Sequence, residues 1–332
     1  DSEKVAVTHE KIGSLALGIG KAKKAQIAYE EALKIRKLIH GDQHEAVATV
    51  LQMLGSLMDD FGDYDAAMGF YIDALDIRRS SLGLDDIAVA ETLYSMGYTL
   101  HNNKEPDRAL VCFEEALSIR SYQLGEDSVE VGDTLNIMGF LKAKRGELDD
   151  ALTLLWDALR IRKLIEDHVK VSETLNNIGN VHREKKELDL AVDCYEECLR
   201  IRRSELGPNH EKVADTLIVM ANIHSEMQEN EEAEDLFKEA LDIRTRVFGE
   251  HDESVATVLQ YMGSIEFRAN NYEKARTLLM EFIRIHRDNG TKNADYVNVL
   301  FMVGNIHKIE GNEAKAKLCW IEAYQVFQEL GM

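Results

Sequence analysis

Amide, aromatic and acidic side chains recur at a fixed phase along this chain, and the chemistry that phase suits is recognition. Asn136, Asn176, Asn180 and Asn222 carry groups that both donate and accept, as the backbone of an extended peptide requires. Tyr94, Tyr98 and Phe140 offer ring area at low entropic cost beside them, and Arg183 adds a cation to the same row. Glu91, Asp133, Glu173 and Asp215 form a parallel row of carboxylates, an acidic edge that would steer a ligand carrying Lys or Arg; acids there also suit the start of a helix. His182, His224 and His307 make a third row. Packed helices lie ~8 to 10 Å apart, too far for these imidazoles to share a metal, so they read as satisfied, partly buried side chains.

Reactive chemistry is not in prospect. Cys194 and Cys198 are four residues apart, but no second pair of ligands completes a metal set. Neither a glycine-rich phosphate loop nor a nucleophile-elbow sequence occurs. We therefore expect no catalytic residue, no cofactor and no metal.

The rows exist because the chain repeats. Gly13, Gly55, Gly97, Gly139, Gly179, Ala221, Gly263 and Gly304 follow one another at steps of 42, 42, 42, 40, 42, 42 and 41 residues. Twelve positions after each comes an alanine, from Ala25 to Ala316, and four further a large residue, as in Tyr29, Phe113 and Trp320. Such periodicity marks a solenoid. Apolar residues fall at helical spacing in two blocks per copy, as in Leu135, Met138 and then Leu148, Leu152, Leu155, Leu159. The fold class predicted is all-α: a right-handed superhelical solenoid of eight helix-turn-helix repeats and about sixteen helices. It would be a single domain over 1–332, with repeats near 1–42, 43–84, 85–126, 127–166, 167–208, 209–250, 251–291 and 292–332. The glycine lets helices A and B approach, with the alanine facing it, and the large residue is expected to fill space toward the next repeat.

Gly41, Gly83, Gly125, Gly207 and Gly249 follow helix B, where a left-handed conformation is cheap. Asp42, Asp85, Asp127 and Asn209 come next as expected caps of the following helix. Between Arg162 and Gly179 the connector is two residues shorter than its counterparts and lacks the glycine, which predicts a tighter turn.

Composition narrows the partners. A net charge of −21 supplies no basic footprint for nucleic acid or an anionic membrane, and no apolar run of ~18 residues appears. Four cysteines suggest reduced thiols in a cytoplasmic setting, not a disulfide framework. Leu318, Trp320, Ile321 and Phe327 leave an apolar face on the last helix, suited to self-association.

Gly, Ala, aromatic and Ala at these intervals resemble the tetratricopeptide repeat, whose usual period is ~34 residues. The stretch 173–217, with "TLNNIG", "CLRIR" and "LGPNHEKVADTL", is similar to the longer repeat of kinesin light chains. Those proteins also carry a heptad segment that binds the motor, which this sequence does not contain. The resemblance thus implies a non-catalytic peptide-binding adaptor or scaffold and not transport, with helix A lining a concave groove. The alternatives are a self-assembling structural solenoid and the regulatory repeat domain of a larger protein. The tetratricopeptide clamp for chaperone tails uses cations that are replaced here by Asn176, Ile218, Glu173 and Asp215, so the resemblance does not imply that ligand.

Overall fold

A computed structural model describes residues 2–331. Among these it holds sixteen α-helices and no strand. They pair as α1 (Ser2–Gly18) with α2 (Ala22–His40), α3 (Glu45–Asp60) with α4 (Tyr64–Leu82), α5 (Ile87–Asn102) with α6 (Pro106–Leu124) and α7 (Val129–Lys144) with α8 (Leu148–Leu164). The series continues as α9 (His168–Glu184) with α10 (Leu188–Leu206), α11 (Glu211–Glu226) with α12 (Asn230–Phe248), α13 (Glu253–Arg268) with α14 (Tyr272–Asn289) and α15 (Ala294–Ile309) with α16 (Glu313–Glu329). The predicted all-α solenoid of tandem repeats is the observed architecture. By internal contacts the chain divides into two compact units, Asp1–Asp167 and His168–Met332.

Seven of the eight helix pairs are held by the glycine and the large residue of one repeat; the sixth has Ala221 in place of the glycine. A Cβ on Gly97 would lie 2.7 Å from the Phe113 ring, closer than any real contact, so only glycine lets that ring press onto helix A. Tyr29, Tyr71, Leu155, Tyr195, Leu279 and Trp320 meet their own repeat's glycine in the same way. The large residue also fills space toward the next repeat, as expected: Phe237 stacks on Tyr261, and Phe113 shares a core cluster with Ile137, Met138 and Leu141. The alanines from Ala25 to Ala316 are buried as predicted.

The turns differ in kind. From A to B three residues suffice, and a single left-handed position is filled by Gly20, Gly62, Gly146 and Gly311 or by Lys104, Lys186, Gln228 and Asn270. From B to A, Gly207 has φ 90° and ψ 154°, and Gly41, Gly83, Gly125 and Gly249 resemble it. That is not the left-handed helical region expected but one open essentially to glycine alone. The connector after α8 has no glycine and is tighter, as predicted. It adopts the A-to-B turn instead: Glu166 takes φ 58°, and Asp167 N donates to Arg162 O at 3.1 Å as Asp63 N does to Met58 O at 2.9 Å.

The four-residue B-to-A connector also moves the caps. Asp86, Ser128, His210 and His44 accept from the first turns of α5, α7, α11 and α3, one or two places beyond the expected Asp85, Asp127, Asn209 and Asp42. Asp127 and Asp42 pair with Arg160 and Lys37 instead.

His286, in the last turn of α14, is 3% exposed and packs on Phe282 and Tyr296, with Nδ1 2.8 Å from Thr291 Oγ1. Burial pushes its pKa below the ordinary 6.5, against the pull of Glu253 and Asp295. An unfolded chain would therefore take up the proton first. The stability His286 confers is full above about pH 6.5 and is lost as pH falls toward the lower folded value. The thermal midpoint followed between pH 7.5 and 5 should fall, and His286→Gln should flatten that slope.

Candidate functional site

The surface singled out by sequence lies on helix A, at positions three before, one after and four after the repeat glycine. Its residues are distributed over both units: Tyr94, Tyr98, Asn136 and Phe140 belong to the first, Asn176, Asn180, Arg183 and Asn222 to the second.

In the first unit the row is organised by an arginine that sequence reading left unassigned. Arg36, Arg78 and Arg120 end helix B of repeats one to three and are 4–8% exposed. A buried guanidinium must find acceptors or a ring face. Arg78 donates to Ala88 O at 3.0 Å and Thr92 Oγ1 at 2.7 Å in the next repeat. Arg120 donates to Glu130 O at 3.2 Å and Thr134 Oγ1 at 2.7 Å. The same cations reach the helix A row of their own repeat: Arg36 bonds Glu10 at 2.8 Å, Arg78 bonds Gln52, and Arg120 lies 4.0 Å over the Tyr94 ring. Tyr94 is thus half-buried with one face taken, and burial raises its phenol pKa far above the ordinary value. Tyr98 is the more open ring, 37% exposed. It meets Tyr94 and Phe113 edge-on, and its hydroxyl accepts from Tyr94 at 3.3 Å. Phe140 is half-buried against His101, with the Lys144 ammonium 5.6 Å from its ring. Asn136 is half-buried on α7 and is engaged within the chain.

In the second unit Asn180 is exposed and accepts the Tyr195 hydroxyl at 2.8 Å, so the packing tyrosine of helix B fixes the amide. Asn222 returns its NH₂ to Ile218 O at 3.0 Å. Asn176 is half-buried, and its amide makes no hydrogen bond among the described residues. Arg183 pairs with Glu226 at 3.6 Å. Arg202 repeats the arginine pattern with Lys212 O at 3.2 Å and Thr216 Oγ1 at 2.7 Å.

Three of the four carboxylates predicted to form an acidic edge are engaged internally. Asp133 accepts from Arg162 at 2.8 Å, Glu173 from Lys212 at 3.1 Å and Asp215 from Arg244. Glu91 is exposed. The edge is therefore largely a set of ties that orient helix ends. Two of the three histidines are satisfied as expected, His182 and His224 each lying 2.7 Å from a turn carboxylate, Glu187 and Glu229; the third, His307, is not, its Nδ1 being buried without a hydrogen-bond partner, 3.5 Å from Glu310. Lys142 with Glu147 at 2.6 Å and Glu266 with Asn271 at 2.8 Å fill the same pair of positions with other chemistry. Among the described residues no group of His, Cys, Asp and Glu has the geometry to hold a metal ion.

Tandem helix pairs, with a buried arginine near the end of helix B in repeats one to five, define a tandem-repeat α-solenoid. The chain belongs to the tetratricopeptide repeat family, whose profile matches residues 4–80, 88–164, 170–246 and 219–288. BtubC (BKLC) from P. vanneervenii superposes with a TM-score of 0.60 at 19% identity, covering 68% of this chain and 92% of that one. A Podosopora anserina kinesin light chain-type protein of nearly identical TPR-like repeats gives 0.55 at 14%, covering 62% and 98%. The STAND protein with a tetratricopeptide repeat sensor from Pyrococcus horikoshii gives 0.69 at 12%, covering 99% and 48%. At these identities the likeness is one of fold. No protein of curated function matches the chain.

Arg120 positions both the repeat junction and the Tyr94 ring. Arg120→Met should cost about 2 kcal/mol, the scale of hydrogen bonds to a charged group, read as a lower urea midpoint. Thr134→Val, which leaves the guanidinium its carbonyl and ring contacts, should cost about half as much.

Proposed function

We propose that this chain is a non-catalytic scaffold or adaptor that binds an extended peptide or helix along its helix A rows, in the cytoplasm. The observation that carries this is the unequal use of those rows. Buried cations consume the positions nearest the core, whereas Tyr98 and Asn180 stand at the surface and are held in place from behind by Phe113 and Tyr195. Pre-positioned amide and aromatic groups bind with little ordering cost. Asn176 adds an amide with donor and acceptor capacity to spare. Four free thiols suit a reducing compartment, and among the described residues no helix is long and apolar enough to cross a membrane.

A peptide array probed with the full chain tests this reading. Asn176→Ala with Asn180→Ala should weaken the peptides that the parent selects about tenfold, the worth of one or two hydrogen bonds, with helical circular dichroism unchanged. Retained affinity in that variant would move the function off these rows.

A second reading, self-association, is favoured by α16. Leu318 and Ile321 are 67% and 55% exposed, and Tyr324 stands exposed at the position where Leu75, Leu159, Leu199 and Ile283 are buried in earlier repeats. Sedimentation equilibrium should then show mass rising with concentration, and Leu318→Lys with Ile321→Lys should abolish the rise.

A further inference from the structure

The end of α3 departs from the pattern of the chain in three ways that coincide in space. Its last turn carries Asp59 and Asp60 and no basic residue, although the carbonyl end of a helix favours cations. Only α1 shares this lack of a basic residue; the corresponding turns of α5, α7, α9, α11, α13 and α15 all carry His, Lys or Arg. Asp59 sits on the helix A recognition row, where Leu17, His101, Ala143, Arg183, Ser225, Phe267 and Lys308 stand in the other repeats. Thr99 stands two places after its repeat glycine, a position that is Leu, Val or Ile in the other seven copies. It is fully buried nevertheless.

These groups face one another. The Tyr71 ring packs on Gly55, one turn before Asp59; its hydroxyl lies within reach of Ser56 and Thr99, and burial together with the Asp59 charge pushes its pKa up to about 12. Asp59 Oδ1 and Thr99 Oγ1 are both buried without a hydrogen-bond partner. Buried polar atoms are rarely left so; Asp59 itself is half-buried, with Oδ1 turned inward. Elsewhere on the row the charged side chains are matched: Glu10 with Arg36, Arg183 with Glu226, Lys308 with the Trp320 ring. Ser56 and Tyr98 are exposed at the same junction of repeats two and three, so the site has an open side.

We propose that Asp59, Thr99, Tyr71 and Ser56 form a seat for a primary ammonium group, the side chain of a lysine in a peptide bound along the helix A row of the first unit. An ammonium brings three donors on a compact head. Asp59 Oδ1, Thr99 Oγ1 and the Tyr71 oxygen supply three acceptors, and the negative end of α3 adds a favourable field. Asp59 turns its carboxylate toward the entering group, and the exposed ring of Tyr98 covers the lysine stem. This rests on the peptide-binding reading and assigns one position of the ligand.

The test is selection from a randomised, N-acetylated decapeptide library on the full chain, repeated with Asp59→Asn and with Thr99→Val. Lysine should be enriched at one fixed position. The selected peptide should lose affinity about tenfold on ε-acetylation of that lysine or in Asp59→Asn, and less in Thr99→Val. Ligand-free Asp59→Asn should melt no lower than the parent, because it removes an unmatched charge. Binding that survives acetylation, or a lower melting point for Asp59→Asn, overturns the site. If a non-acetylated library selects instead for a free N-terminus, the lysine assignment falls. Peptides selected without any lysine preference, yet lost on Asn176→Ala with Asn180→Ala, overturn the ammonium seat and leave the scaffold reading standing. No selection at all overturns both.

Discussion

A guanidinium inside an apolar helix stack is the constraint around which these repeats are arranged. Arg36, Arg78, Arg120, Arg162 and Arg202 close helix B in successive repeats and are nearly removed from water. A charge so placed needs acceptors, and the terminal nitrogens find them, although the Nε of Arg120, Arg202 and Arg244 stays buried without a hydrogen-bond partner. The next repeat supplies a threonine hydroxyl and a first-turn carbonyl for Arg78, Arg120 and Arg202. Where the following helix has Val50 or Val258 in place of threonine, the arginine turns back to its own repeat, Arg36 to Glu3 and Glu10 and Arg244 to Asp215. His286, followed by Val299, has a smaller and more easily neutralised head and is served by Thr291 in its own turn. One rule covers all these cases: the acceptor moves, but the cation is never left alone.

The arginine also divides the surface between structure and function. Its reach across the repeat uses Glu10, Gln52 and one face of Tyr94, side chains that by position alone look free to meet a ligand. What remains open lies one turn farther along helix A, at Tyr98 and Asn180, each braced by the large helix B residue of its repeat. The acidic row is likewise mostly taken up by basic partners, which weakens any general attraction for basic ligands. Negative charge that is available to a ligand is a local matter, and the unpartnered carboxylate of Asp59 is the clearest instance.

Much of the fold was legible because it rests on local, periodic signals. A glycine and an alanine at constant separation require two helices in close contact, and a glycine after helix B permits a backbone geometry that other residues resist. The short connector after Arg162 was legible for the same reason, since without glycine the chain can only use the turn that Lys104 or Asn270 tolerates. The caps were misplaced by one or two residues because the number of connector residues spent in the turn is not visible in composition.

The sequence by itself determined the repeat, the helix pairs and the rows of side chains on helix A, because period and steric permission are properties of the chain. Tertiary structure decided which members of those rows are available. Whether Tyr94, Asp133 or Asp215 faces a ligand or an arginine depends on a side chain some 26 to 29 residues further along, brought across by the packing of helix B. Whether Asp59 and Thr99 are satisfied depends on Tyr71, a third residue on a third helix. Hydrogen bonding is a matter of angstroms between residues distant in sequence, and only the folded chain supplies those distances.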